Sequence, residues 1–278
     1  MKRVLFQAKL VGNGTEFETM KAAVGLYSEL MSHDIGSCEI STAVHRRSYE
    51  ILGCADPYRA MKEHADEVAE KYVPEAQRFV DGSDDRFAAA VRVCIIGNIM
   101  DFGSGIAIDS PDEFGKIFGS LLKQGVGSDD TDKLRKLVDA SETVLYAFDN
   151  CGEDQFDRIL IREIRSMGKR VVGVVRGAPV INDVAMEDAL RIGMDKGLDR
   201  IVTTGEFAVG FPKVVRDKGF IEESGRAGLM IAKGMANFES LTECEMSIPI
   251  GFLLRAKCVP VAAQLNVPVG TNVVRVLS

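Results

Sequence analysis

Five short apolar runs in the second half of the chain constrain its fold most: "TVLYAF" (143–148), "RVVGVVR" (170–176), "RIVTT" (200–204), "GLMIAK" (228–233) and "GFLLRAK" (251–257). Each has the length of a strand, several are rich in Val and Ile, and polar segments of helical period separate most of them. Continuous apolar runs alternating with helices mark a parallel sheet buried on both faces. The expectation for 141–278 is therefore a doubly wound, Rossmann-like α/β layer. Before it the apolar residues recur at helical spacing, as in "FETMKAAVGLYSELM", "STAVHRRSYEIL", "YRAMKEHADEVAEKYV" and "DKLRKLVDASE". That pattern predicts a mainly helical region over 1–140, packed on the sheet or capping one edge. Asp56 before Pro57 and Ser110 before Pro111 read as helix starts.

With 278 residues, 46% of them apolar, the chain can bury one large core or two modest ones. A net charge of −7 argues against nucleic acid as a partner, because that affinity rests on a clustered excess of Lys and Arg. An anionic small substrate then needs a local cation or a metal. The cysteines (Cys38, Cys54, Cys94, Cys151, Cys244 and Cys258) are scattered, with no C-x-x-C pair, as in a reducing compartment. The opening "MKRVLFQAKL" does not read as a signal peptide, and no run approaches the roughly 18 residues that span a bilayer. The expected setting is the cytoplasm, with no membrane partner and with a homo-oligomer left open.

Ligands of open α/β sheets bind outside the carboxyl ends of the strands. After the first run come Asp149, Asn150, Cys151, Gly152 and Glu153; after the second, Asn182 and Asp183; after the third, Thr204, Gly205 and Glu206. After the fourth come Lys233, Gly234, Asn237 and Glu239, while the fifth carries Arg255, Lys257 and Cys258. Asp149 and Asp183 with the neutral oxygen of Asn150 make an all-oxygen set suited to Mg²⁺ or Mn²⁺, with Co²⁺ or Ni²⁺ as further candidates. Lys257, with Arg255, would add positive charge, and Thr204 and Gly205 would open a helix N-terminus whose N–H groups take phosphate oxygens. Metal, fixed cation and N–H nest are the parts of a phosphoryl-transfer site. Each part also has a plain structural reading: Asp149–Asn150 and Asp183 as turn or cap residues, "TTG" as a tight turn. Asn98 and Asp101 in "GNIMDFGSG" fit a pocket role or a locally satisfied turn equally. His33, His45 and His64 are too dispersed for zinc, and Cys151 and Cys258 read as small buried residues rather than nucleophiles.

Seven segments, "AVHRRSYEILGCADPYRAMKEHADEVA", "GNIMDFG", "FDNCGED", "RGAPVINDVAMEDA", "TTGEFAVG", "AKGMANFESLTE" and "LLRAKCVPVA", resemble in that order the stand-alone microbial branch of the DUF89 family, metal-dependent damage-control phosphatases. The resemblance implies an α/β/α layer with an added helical region. It also implies a divalent metal (Mn, Co, Ni or Mg) and hydrolysis of small phosphomonoesters such as sugar phosphates or damaged metabolites. It places the metal on Asp149, Asn150 and Asp183, Asn237 at the pocket and Lys257 on phosphate. Arg255 matches the family pattern less well, and Glu206 stands where relatives tend to have Ser. The first seventeen residues lack the cysteine-containing segment of microbial relatives.

The expected mechanism is metal-assisted hydrolysis, with Asp149, Asp183 and Lys257 catalytic. Thr204, Gly205, Asn237, Glu239, Arg255, Asn98 and Asp101 would contact substrate. Water and the Asp149 carboxylate are both open as nucleophile. Two rivals stand beside it: a non-catalytic module that holds a phosphorylated metabolite, and a Rossmann-like transferase. The single glycine after the first run counts against the second.

Overall fold

The computed structural model describes residues 1–31, 34–101, 110–244 and 246–278. His33 and part of "GNIMDFGSG", residues 102 to 105, lie outside them. In chain order come α1 (Lys2–Val11), α2 (Glu16–Leu30), α3 (Ser37–Leu52), α4 (Arg59–Glu70), α5 (Val73–Asp81), α6 (Arg86–Gly97), α7 (Phe114–Leu121), β1 (Ser128–Asp129) and α8 (Thr131–Ala140). The second half continues with β2 (Thr143–Ala147), α9 (Glu153–Ser166), β3 (Arg170–Val175), α10 (Met186–Arg191), β4 (Arg200–Thr203) and α11 (Lys218–Ser224). It ends with β5 (Leu229–Lys233), α12 (Gly234–Leu241), β6 (Ile250–Arg255), α13 (Val259–Leu265) and β7 (Asn272–Leu277). All five apolar runs are strands. Two strands have no counterpart in the expectation: the short edge strand β1, and β7, which runs antiparallel to β6.

The sheet has seven strands in the order β1-β7-β6-β5-β2-β3-β4, parallel except for the β6–β7 pair. From β2 the chain winds outward to β3 and β4, then crosses back to β5 on the other side of β2. The reversal makes β2 the topological switch point, with its carboxyl end at the mouth of the crevice. Alternation within the strands builds two cores. Val144 and Tyr146 of β2, with Phe148 just beyond it, join Val171, Val175, Ile231 and Leu253 on the face covered by α4 to α10. Leu145 and Ala147 join Val172, Val174, Met230 and Phe252 on the face covered by α11, α12 and α13. The result is a three-layer α/β/α sandwich. The first of these cores takes residues from both sides of position 140, so the helices before the sheet form one of its layers.

Helices α1, α2 and α3 make a separate small cluster around Val4, Ala23, Ile40 and Val44. Local starts differ in detail from expectation. Asp56 is not the N-cap of α4; Tyr58 is, and the Asp56 carboxylate instead accepts the Tyr58 N–H at 3.2 Å. Ser110 does cap, accepting the Asp112 N–H at the single 3₁₀ turn that leads into α7.

The first core is anchored by aromatic rings. Phe156 of α9 packs on Phe114 and Phe118 of α7 at centroid distances of 5.4 and 5.6 Å, and Tyr72 closes the cluster at 5.6 and 5.3 Å from the same two rings. Phe156 is fully buried, so Phe156→Ala should cost about 3–5 kcal/mol, read as a lower urea midpoint.

Candidate active site

The segments after β2 and β3 are hydrogen-bonded to each other. Val184 N–H donates to Asp149 O at 2.8 Å and Cys151 N–H donates to Asn182 O at 2.9 Å, which sets Asn150 opposite Asp183 in an isolated antiparallel bridge. This pairing places Asp149, Asn150 and Asp183 on one wall of a cavity of about 170 Å³. Arg3, Ser41, Asp101, Glu239 and Lys257 are also in its lining. Asp183 therefore does not cap α10, whose N-cap is Ala185.

Each acid is held by a specific donor. Asp149 Oδ2 accepts the side-chain amides of Asn98 at 3.0 Å and Asn150 at 2.8 Å. Asp183 Oδ2 accepts Arg176 Nε at 2.7 Å, and Arg176 Nη2 lies 3.8 Å from Asp149 Oδ1. Among the described residues no protein donor reaches Asp183 Oδ1, and Asn150 Oδ1 has no protein partner either. Burial raises the Asp149 carboxyl well above its ordinary range, and the charges of Glu153 and Asp183 add to the effect. Burial raises Asp183 as well, against the pull of Arg176. Two buried like charges and two unengaged oxygens, all hard donors, fit a small divalent cation.

Two cations share this lining. Lys257 Nζ donates to Asn98 O and to Asp101 Oδ2, both at 2.8 Å, and Arg3 of α1 donates to Asp101 Oδ1. Burial alone would raise Asp101, yet the Lys257 and Arg3 charges outweigh it and hold the carboxyl at about 2. Arg3 was not foreseen. Nothing in sequence connects it to Asp101, 98 positions away; the signal available was only a cation on the first turn of an amphipathic segment.

Backbone geometry adapts to these contacts at three points. Gly234, at φ 76°, starts α12 so close to Asp149 that a Cβ would overlap Oδ2. Gly152, at φ 84°, turns the chain into α9, where a Cβ would press on Met100 and Ala65. Ile181, in the cavity wall, holds φ 50°, which is strained for a β-branched residue. Its N–H donates to Tyr49 Oη at 2.9 Å.

Several expected substrate contacts lie elsewhere. Asn98 is fully buried behind Asp149, its oxygen taken by Arg255 N–H at 3.3 Å. Asn237 is also fully buried: it accepts Arg176 Nη1 at 2.8 Å and donates to Phe148 O and Lys233 O, which makes it a brace for Arg176. The Arg255 guanidinium turns away to Gln124 and Asn272, both at 2.9 Å. Thr204 Oγ1 accepts Gly177 N–H at 3.0 Å, and no helix starts at Gly205. The chain after β4 runs as an irregular segment to α11, capped by Asp217, so the expected N–H nest is absent there. The reason is steric: Gly205 and Glu206 pack directly on Gly177.

A second group, Asp66, Cys151 and Asp154, has its ligand atoms within 4.8 Å of one another. Both Asp66 oxygens are engaged, by Gly152 N–H at 2.7 Å and Arg191 at 2.6 Å; Asp154 Oδ1 accepts Gly152 N–H at 3.0 Å, while Asp154 Oδ2 is buried without a hydrogen-bond partner. Burial and the Asp66 charge raise Asp154 well above the usual carboxylate range. A larger groove of about 440 Å³, lined by Arg158, Arg162, Arg165 and Lys196, has no carboxylate in its lining.

Residues 1–273 match the family model of the damage-control phosphatase ARMT1-like domain. The chain is 37% identical to a damage-control phosphatase of Archaeoglobus fulgidus over 99% of its own length and 95% of the relative's. It is 38% identical to a damage-control phosphatase of Pyrococcus horikoshii, over 81% of this chain and 76% of the relative. A crystal structure of a DUF89 family protein from Pyrococcus horikoshii superposes with a TM-score of 0.85 at 32% identity, covering 97% of this chain and 93% of that one. The fold thus belongs to a phosphatase of the α/β/α class. The chain is a member of the damage-control phosphatase ARMT1-like family.

Because the folded pKa of Asp101 lies below its unfolded value, its contribution is complete above about pH 4 and is lost as pH falls through about 2. Asp101→Asn should remove on the order of 2 kcal/mol at neutral pH. Comparing its acid unfolding with the parent's should show the difference narrowing below pH 4.

Proposed function

We propose that this phosphatase hydrolyses small phosphomonoesters, sugar phosphates or damaged phosphometabolites, at the cavity between Asp149, Asp183 and Lys257. One observation carries the reading: two carboxylates and an amide line one cavity together with two cations at the switch point of the sheet, in a member of a phosphatase family. A divalent metal, Mn, Co, Ni or Mg, held by Asp149, Asn150 and Asp183 would supply Lewis acidity and an activated water.

The chain's own groups do the rest. Lys257 and Arg3 neutralise charge on the phosphoryl oxygens, and Asp101, bonded to both, fixes where those cations stand. Arg176 holds Asp183 while Asn237 holds Arg176. Glu239, half-buried, also lines the cavity. A cavity of about 170 Å³ lies below the ~300–1,000 Å³ typical of drug-sized ligands, which favours a compact substrate. Free thiols at all six cysteines suit a cytoplasmic setting, and among the described residues no helix is long and apolar enough to cross a membrane.

The test is a phosphatase assay with a fluorogenic phosphomonoester and a panel of sugar phosphates, run with each metal and a metal-stripped control. Asp183→Ala should lose at least about a hundredfold in kcat/KM in metal-replete enzyme, and a fully active variant would sink the assignment. Arg3→Ala should act mainly on KM, raising it by about tenfold, the loss of one charge-assisted bond. An unchanged KM would remove α1 from the substrate site.

A further inference from the structure

Beneath the cavity Asn98 and Asn150 bridge the same two acceptors. Asn150 Nδ2 donates to Asp149 Oδ2 at 2.8 Å and to Glu153 Oε2 at 3.0 Å. Asn98 Nδ2 donates to the same two oxygens at 3.0 and 2.9 Å. Two amides and two carboxylate oxygens thus close a ring that uses all four amide hydrogens. An amide carries its oxygen and nitrogen at nearly equivalent positions, so the acceptors around it decide which one points where. With both Asn150 hydrogens drawn to Asp149 and Glu153, its oxygen is left for the cavity, where Asn150 is part of the lining.

Glu153 is itself fixed. It is fully buried at the first turn of α9, where the helix dipole favours a carboxylate. Its other oxygen, Oε1, accepts Lys233 Nζ at 2.5 Å. Lys233, also fully buried, spends its remaining hydrogens on Asp157 Oδ1 at 2.6 Å and Cys94 O at 3.1 Å. Every donor of the ammonium is used, so the Glu153 carboxylate cannot swing away from the ring without leaving a buried charge short of a partner.

We propose that Glu153, clamped by Lys233, is a positioning residue that holds the Asn150 amide oxygen toward the cavity and thereby sets the affinity of the metal site. This rests on the reading of Asp149, Asn150 and Asp183 as metal ligands. Without the Glu153 acceptor, Asn150 can turn its NH₂ to the cavity, and a cation then meets a donor instead of an oxygen.

The experiment is calorimetric titration of metal-stripped full-length protein with Mn²⁺ alone, with thermal melts alongside. Parent protein should bind; if it takes up no Mn²⁺, the metal-site reading fails and this inference falls with it. Glu153→Gln should weaken Mn²⁺ binding by about 10–100-fold, the usual effect of removing a partner that orients a ligand. The double variant Asn150→Asp with Glu153→Gln exchanges acid and amide while keeping total charge. It places a carboxylate, which has no wrong orientation, where the amide stood, and should recover at least about tenfold of the loss. Because the added carboxylate strengthens binding by its own charge, the double variant is also compared with Asn150→Asp alone: a merely structural role for Glu153 predicts the same loss from Glu153→Gln in that background as in the parent, whereas the positioning role predicts a loss at least about tenfold smaller. The proposal is overturned if Glu153→Gln binds Mn²⁺ within about twofold of the parent, or if the double variant binds no better than Glu153→Gln.

Discussion

The rest of the site depends on the pairing of the chain after β2 with the chain after β3. Two backbone hydrogen bonds, Val184 to Asp149 and Cys151 to Asn182, hold the acids side by side before any metal or substrate is considered. Carboxylates brought together in this way repel, and burial removes the water that would screen them. The fold offsets this with cations that cannot leave: Arg176 on Asp183, Lys233 beneath Glu153, Lys257 on Asp101. Each comes from, or just past, the end of a different strand (β3, β5 and β6), so the sheet delivers acid and counter-charge from one set of strand ends. That explains why the order of strands, and not only their number, matters to the chemistry.

Much of this was legible in the amino-acid order, and what was hidden was hidden for physical reasons. Strands buried on both faces announce themselves as unbroken apolar runs, so β2 to β6 stood out, and with them Asp149, Asn150, Asp183 and Lys257. The β7 run "NVVRVL" is interrupted by the exposed Arg275, so it lacks the unbroken apolar pattern of a strand buried on both faces. Thr204 and Gly205 were expected to open a helix because strand ends in α/β sheets usually do. The close packing of Gly177 on that segment leaves no room for one. Asn237, Asn98 and Arg255 were expected to contact substrate; Asn98 and Asn237 are fully buried, and the Arg255 guanidinium turns to Gln124 and Asn272. Sequence shows that a polar residue follows a strand; which way it faces is decided by partners such as Arg176 and Gln124, brought in from elsewhere in the chain.

Arg3 and Glu153 show the two kinds of omission. Arg3 reaches the cavity only because α1 packs over the rim through Val4, against Ala23 of α2 and Val44 of α3. No local pattern encodes that contact. Glu153 was visible among the polar residues after the first run, and in the first turn of α9 it serves the helix dipole. Its second task depends on a lysine eighty positions later. A fully apolar strand that ends in Lys, as "GLMIAK" does, was the available clue, since an ammonium there must find carboxylates.

The balance of charge in the cavity explains how a chain of net charge −7 can take an anionic substrate at all. Among the described residues its lining holds four carboxylates, Asp101, Asp149, Asp183 and Glu239, against two cations, Arg3 and Lys257. Fully ionised, that leaves two negative charges facing a phosphomonoester that is itself close to dianionic at neutral pH. One divalent cation among Asp149, Asn150 and Asp183 would cancel those two charges and leave Lys257 and Arg3 to meet the phosphoryl oxygens. On the proposed reading, the acids would gather the metal and the metal would make the acids tolerable to phosphate. The carboxylates that would otherwise repel the substrate would then be the groups on which its binding rests.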